Sequence, residues 1–158
     1  MKYLLLKAVK HNWGLMGPGD WKEERWTVYS DGLYTRVLTY NPTLEEMEEM
    51  RTNDDCIRTT AKCVKRTRGR IKHFDRLLEL ITSDPWIDPQ IVCNACDGVA
   101  WKIDVFSPEG EIIKTSGDRI GYIYGQRVLE EIAALLPSGK WDTQASAFIS
   151  VKRKTQQE

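Results

Sequence analysis

A chain of 158 residues and 18.3 kDa, 41% hydrophobic and 29% charged with six Trp, has the size and apolar content of one globular domain, which excludes a large multidomain machine and wholesale disorder. Lys plus Arg equals Asp plus Glu at 23 each, so no net field marks it as a general nucleic-acid or membrane-surface binder. Leu4, Leu5 and Leu6 alone precede Lys7, too few for the roughly 7–15-residue apolar segment of a secretion signal, and no stretch approaches the roughly 18 apolar residues of a spanning helix.

In chain order, residues 3–9 form a mostly apolar run that suits a first strand. Gly14, Gly17, Pro18 and Gly19 make residues 12–20 a loop; it lacks the Gly-Lys-Ser/Thr ending of a phosphate-cradling P-loop. Residues 24–30 alternate, with Trp26 and Val28 on one face and Thr27 and Tyr29 on the other. Asp31-Gly32 then turns the chain into a returning strand over 33–40. Asn41-Pro42 ends that strand, and Thr43 caps a short acidic helix over 44–50. Residues 57–64 are rich in β-branched side chains and predict a fourth strand, with a helix as the alternative. After Gly69 punctuates the chain, Ile71, Phe74, Leu77, Leu78 and Ile81 recur at helical spacing until residues 83–85 stop them.

The second half echoes the first. Trp101, Ile103 and Val105 alternate with Lys102 and Asp104, a turn follows at 108–110, and a return strand starts at Ile112. Val128, Leu129, Ile132, Ala133, Leu135 and Leu136 mark a second amphipathic helix, ended by Pro137 and Gly139. Residues 147–151 suit an edge strand. The expected architecture is α+β, an antiparallel sheet of about 5–7 strands with two amphipathic helices on one face. It forms a single domain over 1–151 with a polar tail over 152–158.

Cys93 and Cys96 have the spacing that grips one tetrahedral zinc from a turn, and Cys56 and Cys63 are the candidates to complete a four-sulfur site. The wider gap between Cys56 and Cys63 fits zinc poorly, and on a strand their odd separation puts them on opposite faces. The first expectation is therefore no cofactor, with cytoplasmic, reduced thiols, and structural zinc is second. Tyr122 and Tyr124, bracketed by Gly121 and Gly125 ahead of a helix, share a face, and Gly125 leaves the helix amides approachable. With Asp97 and Trp101 they form the candidate pocket for a planar or anionic ligand; the alternative is that they simply pack. His11 and His73 are the only histidines and no Ser-His-Asp set is evident, so catalysis is not expected.

The run Ala95-Cys96-Asp97-Gly98-x-x-Trp101-x-Ile103, then Gly110, Gly121-Tyr122-Ile123-Tyr124-Gly125 and Leu129-Glu130-x-Ile132, with Tyr29-Ser30-Asp31-Gly32 and Tyr40-Asn41-Pro42-Thr43-Leu44-Glu45-Glu46 upstream, resembles a group of small uncharacterised cytoplasmic proteins of bacteria and their mobile elements. The resemblance implies a shared α+β fold and carries no activity.

Charge is unevenly spread: residues 44–55 carry a net −5 and residues 56–76 a net +7. Arg66, Arg68 and Arg70, at alternate positions, line one face of a ribbon and suit anions. No aromatic interleaves them for base stacking, and the acidic and basic segments can cancel each other. The expected function is a non-catalytic binding or regulatory protein with a protein partner. The alternative is a small-ligand or nucleotide-binding, sequestering protein of a mobile element, using Tyr122, Tyr124 and Gly125 with Arg66, Arg68 and Arg70. Nucleic-acid contact through residues 62–72 is a further alternative, and no membrane partner is expected.

Overall fold

Two-residue alternation builds most of this molecule. The computed structural model describes residues 1–12, 17–53, 63–88, 90–95, 99–117, 119–120, 126–137 and 149–153. The elements run β1 (Leu4–Asn12), β2 (Trp21–Tyr29), β3 (Leu33–Tyr40), α1 (Leu44–Asn53), β4 (Val64–Arg70), α2 (Phe74–Thr82), β5 (Ile91–Ala95), β6 (Val99–Phe106), β7 (Ile112–Thr115), β8 (Arg119–Ile120), α3 (Arg127–Leu135) and β9 (Ile149–Arg153). A seven-stranded antiparallel sheet has the order β4-β3-β2-β1-β6-β7, with β8 also on β6. The expected α+β class is thus the observed one. β9 overlaps the expected edge strand over 147–151 but runs to Arg153, into the expected tail, and pairs with β5 in a separate two-stranded sheet. No helix among the described residues is long and apolar enough to cross a membrane.

The amino-terminal strand sits at the centre, held on either side by the two Trp-led hairpins. Register carries the core across it: Val28, Leu6 and Val105 align in one row, and Trp26, Ala8 and Ile103 in the next. Helices α2 and α3 bury Leu77, Leu80 and Ile81, and Val128, Leu129 and Ile132, against this inner face in one cluster. Trp26 and Trp101 come from different hairpins yet stack with centroids 5.5 Å apart and planes within 6°. Fully buried Ala8, opposite Trp26 on the intervening strand, is small enough to leave room for both rings. Trp26 Nε1 donates to the carbonyl of Pro137 at 2.6 Å, which satisfies the one polar atom of that ring.

The turns follow from residue type. Gly32 adopts φ +85°, and Leu33 N donates to Asp31 Oδ1 at 3.1 Å. A side chain at Gly32 would also meet the Phe74 ring at 3.2 Å, so this glycine brings α2 against the hairpin. Helix α1 extends past the expected end at residue 50 and opens on a reciprocal cap. Glu46 N donates to Thr43 Oγ1 at 3.2 Å and Thr43 N donates to Glu46 Oε2 at 3.4 Å.

Other boundaries also differ from the sequence reading. The fourth strand begins at Val64 and runs through Gly69, while residues 57–62 of the expected strand lie outside the described residues. Gly69 is a strand residue because Tyr34 lies over it: an added Cβ would sit 2.9 Å from Tyr34 Oη. Helix α2 starts at Phe74, after Ile71 N has bonded to Gly32 O at 2.9 Å. His73 is exposed and holds the helix N-cap with φ 53°.

Candidate binding surface at the fourth strand

β4 is an edge strand whose sequence, Val64-Lys65-Arg66-Thr67-Arg68-Gly69-Arg70, is four-sevenths basic. Lys65, Thr67 and Gly69 stand opposite Leu38, Arg36 and Tyr34 on the core side of β3. The pleat therefore sends Arg66, Arg68 and Arg70 to the solvent side, where all three are exposed. Arg70 Nη1 donates to the carbonyl of Asp31 at 2.9 Å. Among the described residues, neither Arg66 nor Arg68 has an ion-pair partner.

Two cations elsewhere on this side, Arg25 and Lys102, have carboxylates on their own strands, whereas Lys7 lies over the Phe106 ring, 5.8 Å from its centroid. Arg25 pairs with Glu23, His11 Nδ1 lies 3.4 Å from Glu23, and Lys102 lies 3.8 Å from Asp104. Among the described residues the acidic helix does not pair with the arginines of β4. Glu46 serves the cap and accepts from Tyr40 Oη at 3.3 Å, and Glu48 pairs with Arg51 at 3.9 Å. No α1 glutamate reaches Arg66, Arg68 or Arg70. Beside these arginines lies an open depression of about 530 Å³ lined by Lys2, Tyr29, Leu33, Thr35 and Arg68 among others. Lys2 Nζ sits 4.6 Å from the Tyr29 ring centroid and 3.5 Å from the Asp31 carboxylate.

Of the other predicted ligand residues, the structure places Trp101 away from this surface. Trp101 is buried in the stack with Trp26 and faces the core. Asp97, Tyr122, Tyr124 and Gly125 lie outside the described residues, as do Cys56 and Cys96. Cys93 is on β5, opposite Val151. Cys63 is buried, its Sγ donating to Glu46 Oε2 at 3.3 Å. Burial first, and then Glu46, push its thiol above the ordinary range, away from the thiolate that metal binding needs. Among the described residues no three His, Cys, Asp or Glu side chains converge as a metal site.

A second polar group escaped the sequence reading. Lys10 stands opposite Glu24 on one side and Trp101 on the other, and both Lys10 and Glu24 are buried. Arg36 bonds to Glu24 through Nε and Nη2. Lys10 Nζ lies 5.0 Å from the Trp21 ring centroid and 5.3 Å from that of Trp101. Burial draws the Lys10 pKa down to about 8 despite Glu24, with Arg36 adding to the fall. Burial raises Glu24 against the pull of Arg36 and Lys10. Period-two alternation contained this signal, because Lys10 continues the Leu6 and Ala8 face and Glu24 the Trp26 face. These charges sit within the sheet's inner face and tie three strands in register: a one-residue slip would turn Lys10 and Glu24 away from each other.

No protein-family model, curated protein or solved structure matches the chain.

Proposed function

We propose that this chain works by binding, and that the solvent side of β3 and β4 receives an acidic protein partner. The observation that carries this reading is the pair Arg66 and Arg68, exposed, without ion-pair partners among the described residues and fixed on a regular ladder. On a strand they project the same way roughly 6.7 Å apart, a spacing that alternate acids on an extended chain reproduce. Val37, Thr35 and Leu33 lie between and beside them on β3, so this surface has no row of aromatics for stacking nucleic-acid bases.

The test is a titration with an acidic peptide at graded salt. Binding weakens as salt rises, Arg66→Glu with Arg68→Glu abolishes it, and Arg25→Glu, which removes a compensated charge, leaves it nearly intact. Wild-type affinity in the doubly reversed protein would overturn the reading. The depression beside Arg68 favours a second reading, a small anionic ligand. Nucleotide binding that survives Arg66→Glu and is lost in Lys2→Ala would assign the site there instead.

A further inference from the structure

We infer that the free edge of β4 accepts an extended acidic peptide as an additional antiparallel strand, with acidic residues at alternate positions opposite Arg66, Arg68 and Arg70. This rests on the acidic-partner reading and adds to it the main-chain ladder. Tyr40 N bonds to Cys63 O at 3.1 Å and Ile71 N to Gly32 O at 2.9 Å, one at each end of the β3/β4 pair. Antiparallel alternation between them turns the main chain of Lys65, Thr67 and Gly69 toward β3. The N–H and C=O groups of Val64, Arg66, Arg68 and Arg70 therefore point out of the sheet. Among the described residues no strand pairs with that edge.

Edges are usually blunted by shortness, proline, bulges or charge. The opposite edge uses two of these: β7 has four residues, and its pairing with β6 slips at Val105/Phe106. β4 has seven residues, no proline and unbroken register from Leu33↔Arg70 to Thr39↔Val64. Among the described residues charge is its one guard, and charge is selective. A second copy pairing antiparallel about Thr67 would set Arg66 against Arg68 twice, which like-charge repulsion opposes. An acidic strand in the same place sets a carboxylate opposite each arginine while its amides complete the ladder.

The experiment uses the full chain, ¹⁵N-labelled, with the seven-residue peptide Thr-Glu-Val-Glu-Val-Glu-Thr, the same peptide N-methylated at its three glutamates, and an oligothymidylate. The unmodified peptide binds and slows amide exchange at Arg66, Arg68 and Arg70, leaving Lys65 and Thr67, already bonded to β3, unchanged. N-methylation keeps every charge but removes the donors facing β4, and weakens binding by roughly tenfold or more. Equal binding of the methylated peptide would overturn strand addition and leave the acidic-partner reading standing. Failure of both peptides, whether or not the oligonucleotide binds, would overturn both.

Discussion

Holding Lys10 between the Trp21 and Trp101 rings, opposite Glu24, takes an ammonium group out of water and brings its pKa from 10.5 to about 8. Between those two pH values the unfolded chain keeps the proton and the folded chain releases it. The unfolded state then binds more protons, so this group's contribution to stability rises with pH across the window. The rise amounts to about 3 kcal/mol. Urea unfolding from pH 7 to 11 should show it in the native protein and lose it in Lys10→Met; equal slopes in the two proteins would contradict the assignment. Lys10 was hard to read in sequence because lysine is a surface residue by type, and only the alignment of three strands puts it beside Glu24 and Trp101. Trp101 presents the converse case. An aromatic beside a glycine turn looks the same whether it stacks on a ligand or on Trp26, and what decides is Ala8, a small residue on the strand between.

At the scale of elements, α2 and α3 were legible because Leu77 and Ile81, and Val128, Leu129 and Ile132, repeat at helical spacing and are buried, although Leu78 of the expected stripe is exposed and Leu80 takes the core position instead. The first hairpin was legible in Asp31-Gly32. β4 was legible only in part: its β-branched signal lies upstream of Val64, whereas the strand itself is held by pairing with β3 and tolerates Gly69 beneath Tyr34. Tertiary pairing outweighs local propensity there. The same strand gives a test of its charge guard. Replacing Arg66 and Arg68 with Thr keeps strand propensity and removes the repulsion across a two-fold edge pair, so the variant should dimerise at concentrations where the native chain stays dissociated. Sedimentation velocity checks it, and equal sedimentation of the two proteins would show that charge is not what protects the edge.

For the whole molecule, a formal charge of zero conceals a local imbalance, seen among the described residues at Arg66 and Arg68. The net −5 and net +7 segments are neighbours in sequence, and mutual cancellation was one expectation. Instead, among the described residues, Glu46 is engaged by the α1 cap and Tyr40, Glu23 by Arg25 and His11, and Asp104 by Lys102, and Arg66 and Arg68 have no acid partner. Which charges find partners depends on the pleat and on strand order, and neither can be read from a list of residues. The acidic-partner reading is tested most directly by a charge swap, measured as affinity for two peptides of one backbone, the first with Glu and the second with Lys at alternate positions. The native protein should bind the Glu peptide and reject the Lys peptide, and Arg66→Glu with Arg68→Glu should reverse that preference. An unchanged preference in the reversed protein would contradict the account.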